Sequence, residues 1–320
     1  MLDGRAGDLF AGVLAGCGED QVAIRAGAAL ARRVVRAAAP ADGGGAREWS
    51  PRGTVLVTGA SGAIGPHLVG WLARGGASRL VVTSRRGVAL DGIAAAAAEL
   101  AESGTSVSIA ACDVSQRAQV AGLLGWVDRT GERLRSVLHG AVAVDLLPVA
   151  GTSVDDLAVT LSGKVDGARW LDELTADLDL DHFVMFSSIA STWGSTEHAT
   201  YAAANAALDA LAHDRRSRGL PATCIAWGVW EAGTKAASPE QAAAPAPEGW
   251  LPSSASPVWL QRQGVRFLDP DLALGALGQA VGAGETSVAV ADVDWAKFVP
   301  VYNARGTEGR SDRGLSVRAR

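Results

Sequence analysis

Thr54-Val55-Leu56-Val57-Thr58-Gly59-Ala60-Ser61-Gly62-Ala63-Ile64-Gly65 is an apolar run that breaks into three glycines spaced three residues apart. An amphipathic pattern, His67-Leu68-Val69-Gly70-Trp71-Leu72, follows directly. Strand, glycine turn and helix in that order put a pyrophosphate on a helix N-terminus, where free amides and the positive helix end attract an anion. Each glycine has its own task in such a turn. Gly59 takes a backbone conformation that a Cβ obstructs, Gly62 lets the backbone approach the phosphates, and Gly65 lets the helix lie close to the sheet.

The next apolar run, Leu80-Val81-Val82-Thr83, ends in Ser84-Arg85-Arg86-Gly87. A free ribose 2′-hydroxyl is usually met by an acid at this point, and a 2′-phosphate by arginine, whose rigid fork matches phosphate oxygens. Arg85, with Arg86 behind it, therefore points to NADPH. Asp113, in Ala111-Cys112-Asp113-Val114 after the third strand, either contacts adenine or caps the helix starting near Gln116.

Outward from this core, the pattern alternates. Strands are expected at 54–58, 79–83, 106–111, 135–140, 181–186, 222–227 and 286–291, with helices between them, among them 153–175 and 201–218. Such alternation predicts an α/β fold, a Rossmann-like doubly wound parallel sheet covered on both faces. Asp269-Pro270-Asp271 reads as a helix start. Within residues 1–46, Gln21-Val22-Ala23-Ile24-Arg25 and Ala28-Ala29-Leu30-Ala31 flank Ala26-Gly27 and form a hairpin too small to fold alone. The catalytic domain is expected over 53–299, with a lid rich in Ala, Pro and Ser over 231–265 and a linker or tail over 300–320.

The 320 residues are 48% apolar and carry a net charge of −5, which gives no support to nucleic-acid binding. Cys17, Cys112 and Cys224 have no metal-ligand spacing, so no metal is expected, and their sparseness fits a reducing cytoplasm. No apolar stretch reaches 18 residues, so no membrane span is expected. The N-terminus lacks a signal-peptide pattern.

Tyr201 and Asn205 lie four apart on one expected helix and share a face. Ser188 ends the strand in Phe186-Ser187-Ser188, and Lys164 sits on the preceding helix. These types suit hydride transfer to a ketone. The oxygen gains negative charge and needs a proton, which a tyrosine supplies if a neighbouring cation brings its pKa nearer the working pH. A serine hydroxyl steadies the developing oxyanion. Asn205 would hold a water or orient Lys164. Taken singly, each has an ordinary structural reading: packing for Tyr201, solvation for Lys164, a strand end for Ser188, a wet helix face for Asn205.

Together with Thr83-Ser84-Arg85-Arg86-Gly87, Tyr201-Ala202-Ala203-Ala204-Asn205-Ala206, Asp209-Ala210-Leu211-Ala212, Trp227-Gly228-Val229-Trp230 and Ala291-Asp292-Val293-Asp294-Trp295, these residues make the sequence resemble a ketoreductase domain of a modular type I polyketide synthase, within the short-chain dehydrogenase/reductase superfamily. The resemblance runs from about Gly18 to Phe298. It implies Tyr201, Ser188, Lys164 and Asn205 as catalytic residues. It implies a cofactor set of Thr58, Gly59, Ser61, Gly62, Ala63, Ile64, Ser84, Arg85, Arg86, Asp113, Val114 and His139. Asn205 stands where many superfamily members carry lysine, and Lys164 comes from the earlier helix.

The implied substrate is a β-ketoacyl chain on the phosphopantetheine arm of an acyl carrier protein, alongside other domains of the synthase module. Trp193, eight residues before the tyrosine, and His198, three before it, match the A2 subtype and imply an L-configured hydroxyl. On that reading both side chains line the substrate groove, whereas the structural alternative has Trp193 packing the domain and His198 solvated. Residues 144–146 are Val-Asp-Leu, which lacks the last acid of the B-type motif. Val142 stands where the family often has glycine, and residues 1–46 are expected to be the C-terminal remnant of the family's structural subdomain, with 18–40 resembling only its closing hairpin. Two other readings use the same residues: a redox-silent ketoreductase-like domain that scaffolds or epimerises, and a stand-alone reductase of small ketones.

Overall fold

The structure is a computed structural model and describes residues 4–19, 21–37, 49–89, 97, 98, 100, 104–142, 149–195, 199–231 and 257–306. Helix α1 (Gly4–Leu14) precedes a hairpin of β1 (Val22–Arg25) and β2 (Ala28–Ala31). Ala26 and Gly27 at its tip both have positive φ, 48° and 72°. Two left-handed residues give a turn whose twist matches that of paired strands. Beyond β2, the Arg32 guanidinium donates to the Ser191 carbonyl at 3.0 Å and ties the hairpin to the rest of the chain.

The central sheet has seven strands: β3 (Thr54–Thr58), β4 (Arg79–Ser84), β5 (Ser106–Ala111), β6 (Leu134–His139), β7 (His182–Ser188), β8 (Thr223–Trp227) and β10 (Ser287–Val290). Their order is β5-β4-β3-β6-β7-β8-β10, and every pairing is parallel. The expected strands fall within two residues of these bounds, and the doubly wound α/β fold is borne out. Alternation within the strands explains it. Val55, Val57, Leu80 and Val82 join Leu68, Leu72, Leu274 and Leu277 in one apolar cluster. Leu56 and Val81 join Val120, Leu123, Leu171, Phe183 and Leu208 in the other. Each fully buried leucine contributes about 1.5–3 kcal/mol, and a strand apolar on both faces must be covered on both.

The helices are α2 (Gly65–Arg74), α3 (Arg117–Thr130), α4 (Val154–Leu161), α5 (Gly167–Thr175), α6 (Ala190–Trp193), α7 (Ala199–Ser217), α8 (Pro257–Arg262), α9 (Pro270–Gly282) and α10 (Trp295–Gly306). Asp269 caps α9 by accepting from the amides of Asp271 and Leu272, as its sequence foretells. Ser153 and Asp156 form a reciprocal capping box at α4.

Three expectations need amendment. The expected helix 153–175 is interrupted by a π-helical turn, Ser162–Asp166. Helix α10 continues through Pro300 to Gly306, into the segment expected as a tail. Within the expected lid, residues 232–256 lie outside the described residues. Its end is helix α8 and the short strand β9 (Val265–Arg266), which pairs antiparallel with β11 (Asp292–Val293).

Strand order reverses between β3 and β6. Crevices at such a reversal, beyond the carboxyl ends of the strands, are where open α/β sheets bind ligands. Here Thr58 and His139 pair in register at the ends of those two strands.

Candidate active site

The glycine turn begins at that point. Gly59 has φ +72°, and a Cβ on it would lie 2.5 Å from the backbone of Gly140 and Ala141. The turn closes through the Gly62 amide to the Gly59 carbonyl at 3.1 Å and the Gly65 amide to the Gly62 carbonyl at 3.0 Å. A Cβ on Gly65 would stand 1.9 Å from the Ala60 carbonyl oxygen. Gly65 is thus required by the turn itself, not by the closeness of helix and sheet that the spacing suggests. Ser61 is exposed, while Gly62, Ala63 and Ile64 are half-buried, with Ile64 against the core.

At the end of β4, Ser84 is buried and Arg85 and Arg86 are exposed. Thr83 Oγ1 and Ser84 Oγ are buried without a hydrogen-bond partner. Two orphaned hydroxyls beside a turn too tight for side chains fit a bound dinucleotide. Asp113 and Val114 follow β5. The Asp113 carboxylate accepts from the amide and hydroxyl of Ser115, at 3.0 and 2.7 Å. Gln116 is the N-cap of helix α3, which has no side-chain cap, so the capping alternative for Asp113 does not hold.

His139 is not arranged as a cofactor-contacting side chain. It is 1% exposed. Nδ1 lies 2.8 Å from the Thr58 hydroxyl and Nε2 lies 2.9 Å from the Lys164 carbonyl oxygen. Both ring nitrogens are engaged internally, and burial lowers the imidazole pKa to about 4. The neutral ring donates from one nitrogen and accepts at the other, so it pins the π turn to the end of β3. Gly167 makes room for it: a Cβ there would lie 3.1 Å from His139 Cε1.

The π turn carries Lys164, which is 3% exposed. Its ammonium donates to the Phe186 carbonyl at 2.8 Å and sits 5.6 Å from the centre of the Tyr201 ring. Burial lowers its pKa to about 8, while Cys224 and Asp209 pull the other way. The Tyr201 side chain bonds with Ser188, whose hydroxyl also accepts from the Ala190 amide at 3.2 Å. Asn205 is fully buried; Nδ2 donates to the Tyr201 carbonyl at 2.7 Å, and Oδ1 has no partner. Phenol, ammonium, hydroxyl and amide thus converge, and the solvated readings of Lys164 and Asn205 fall away.

The electrostatics differ from the sequence expectation in one respect. The Tyr201 pKa is raised, because burial outweighs the hydrogen bonds from Ser188 and Asn205 that favour phenolate. The Lys164 ammonium donates to the Phe186 carbonyl and is not among the groups that lower the phenol.

Trp193 is half-buried. Its ring lies 5.2 Å from Phe298 and 6.0 Å from Trp295, so it packs α6 against α10. That is the structural reading of this residue. His198 lies outside the described residues. Sequence reasoning missed Ser187, Ser191 and Asp209, which form a hydrogen-bonded layer behind Asn205; the recurrence of polar residues at 201, 205 and 209 was the available signal. Among the described residues no cluster of His, Cys, Asp and Glu is suited to a metal, and no helix is long and apolar enough to cross a membrane.

A family model described as the KR domain matches residues 53–232. The chain is 44% identical to polyketide synthase GfsA of Streptomyces halstedii over 288 residues, which cover 90% of this chain and 4% of that protein. It is 43% identical to the pikromycin polyketide synthase component PikAIII of Streptomyces venezuelae, over 89% of this chain and 17% of that one. Among solved structures, A-type ketoreductases from a modular polyketide synthase align with a TM-score of 0.83 at 42% identity, over 98% of this chain and 62% of theirs. The first ketoreductase of the tylosin synthase aligns with a TM-score of 0.81 at 46% identity, over 94% and 61%. With its seven-stranded parallel sheet, glycine turn and converged polar side chains, the chain belongs to the KR domains of modular polyketide synthases, oxidoreductases that act on a β-keto group with a nicotinamide cofactor.

Proposed function

We propose that this chain reduces a β-ketoacyl thioester, presented on the phosphopantetheine arm of an acyl carrier protein, to a β-hydroxyacyl thioester with NADPH. The observation that carries this is the contact of Tyr201 with Ser188 beside buried Lys164 and Asn205, at the carboxyl edge of the sheet. NADPH, held by the glycine turn with Arg85 and Arg86 toward its 2′-phosphate, would supply a hydride to the ketone carbon. The chain's own groups manage the oxygen. Ser188 donates a hydrogen bond to it as charge develops, and Tyr201 delivers the proton. The hydrogen bonds from Ser188 and Asn205 favour the phenolate left behind, and the free Oδ1 of Asn205 accepts from a water that replaces the proton.

The L configuration of the hydroxyl belongs to the same proposal and rests on the sequence match at Trp193 and His198. Acyl carrier protein and neighbouring synthase domains are the proposed partners. NADPH oxidation with a short β-keto thioester, followed by chiral analysis of the product, tests the reading. Tyr201→Phe should retain NADPH affinity and lose about 100-fold or more in turnover. A Phe variant near the parent rate would mean that another acid is used, and a D-configured product would refute the stereochemical part.

A further inference from the structure

His139 ends β6 and pairs in register with Thr58 of β3 on one side and Met185 of β7 on the other. A carbonyl oxygen only accepts, so the 2.9 Å contact with the Lys164 carbonyl requires the ring hydrogen on Nε2. Nδ1 then accepts from the Thr58 hydroxyl at 2.8 Å. A single tautomer satisfies both bonds. Lys164 is thereby held at two points. Its main-chain oxygen is tied to the end of β6. Its ammonium is tied to the carbonyl of Phe186, the residue after the Met185 that pairs with His139.

We propose that His139 is a positioning residue: the bond from its Nε2–H to the Lys164 carbonyl sets the main chain of the π turn, and so the place of the ammonium beside Tyr201. The catalytic meaning rests on the reductase reading. The mechanical link does not.

Lysine carries its charge on a flexible four-carbon stem, so the head is only as well placed as the main chain at its root and the acceptor at its tip. Phe186 supplies the acceptor. The root lies in a π turn, a rare departure from α geometry. Within that turn the Lys164 carbonyl takes the imidazole as a donor besides the Gly167 amide. The ring has no room to shift: a Cβ on Gly167 would lie 3.1 Å from its Cε1, and Thr58 closes the other end. A preorganised charge steadies a developing oxyanion only where it is aimed. A displacement of about 1 Å costs on the order of 100-fold in rate.

With ¹⁵N-labelled histidine, and His139→Gln giving the assignment, the His139 ring should show a hydrogen on Nε2 and none on Nδ1 at neutral pH. A hydrogen on Nδ1 overturns the proposal, and this reading of the parent protein decides even where the next variant does not fold. His139→Leu removes both bonds and keeps an apolar filling. Its turnover of a short β-keto thioester with NADPH should fall about 10- to 100-fold, with KM and NADPH affinity within about threefold of the parent. His139→Gln keeps a donor for the Lys164 carbonyl and should return turnover to within about threefold. Equal turnover in the Leu and Gln variants would make His139 a packing residue and overturn the proposal. With ¹³C-labelled lysine, and Lys164→Met giving the assignment, the Lys164 ε-carbon signal should move in His139→Leu toward that of exposed Lys297 and stay in place in His139→Gln. An unmoved signal in folded His139→Leu also overturns it. If both NMR results hold while the parent reduces no β-keto thioester, the positioning stands and the reductase reading fails.

Discussion

His139 should make this protein acid-labile at a pH where its ion pairs are still intact. The neutral ring is buried between Thr58 and the Lys164 carbonyl, and its pKa falls from 6.5 to about 4. In the unfolded chain the same ring titrates at its ordinary value. Between those two values the unfolded state binds a proton that the folded state refuses, so stability is complete above pH 6.5 and is lost as pH falls toward 4. At about 1.4 kcal/mol per pH unit, the whole interval is worth about 3 kcal/mol, of which about 2 kcal/mol is lost by pH 5. The carboxylates of Asp156, Glu173 and Asp181 are held below their usual range by hydrogen bonds and ion pairs, so their contribution disappears at lower pH. His182 is also lowered by burial, but it is common to parent and variant and cancels. The perturbation is His139→Gln, which retains an amide donor for the Lys164 carbonyl and cannot titrate. It should be about 1 kcal/mol less stable near pH 7 for the lost hydrogen bond to Thr58. Urea denaturation at pH 7, 6.5, 6, 5.5 and 5 should then show the parent losing about 2 kcal/mol more than the variant, so that the two converge or cross. Parallel losses across that range would refute the claim that His139 folds as a neutral ring.

Asp172→Asn should lower stability by about 3–5 kcal/mol, because it strands the Arg215 guanidinium, which is buried over the Phe183 ring and paired with Asp172; urea unfolding checks this. Gly65→Ala should cost on the order of 1–3 kcal/mol and weaken cofactor binding, since the new carbon overlaps the Ala60 carbonyl. Gly163→Ala, with open space at its Cβ, is the matched control in the same melting and titration experiments. Arg85→Ala should weaken NADPH about 10- to 100-fold and NADH far less, read by fluorescence titration of both; equal losses would separate Arg85 from the 2′-phosphate.

What the sequence disclosed follows from period and composition. Parallel strands buried on both faces must be continuously apolar, so Val55-Leu56-Val57 and Leu80-Val81-Val82 declare themselves, and Tyr201 and Asn205 share a face by simple counting. What it concealed depends on partners far along the chain. Nothing near Lys164 announces that its ammonium meets the carbonyl of Phe186, or that a π turn carries it there. Trp193 stays open between groove and packing until Trp295 and Phe298 arrive from a helix a hundred residues later. Arg215 looks like one of several solvated charges on α7 until Asp172 and Phe183 enclose it. The sequence leaves Asp113 between two uses, and the structure shows its carboxylate turned onto the amide and hydroxyl of Ser115.

The wide turn at Ser162–Asp166 gives this crossover one residue of slack. A turn closed from i to i+5 holds one residue more than an α turn. Deleting one residue within it would let the coil close to ordinary α geometry with α5 in phase and Leu171 still in the core. What would be lost is the displacement that brings the Lys164 ammonium to the Phe186 carbonyl. The extra residue between the capping box and α5 therefore serves the aim of the lysine, not the packing of the helix that follows.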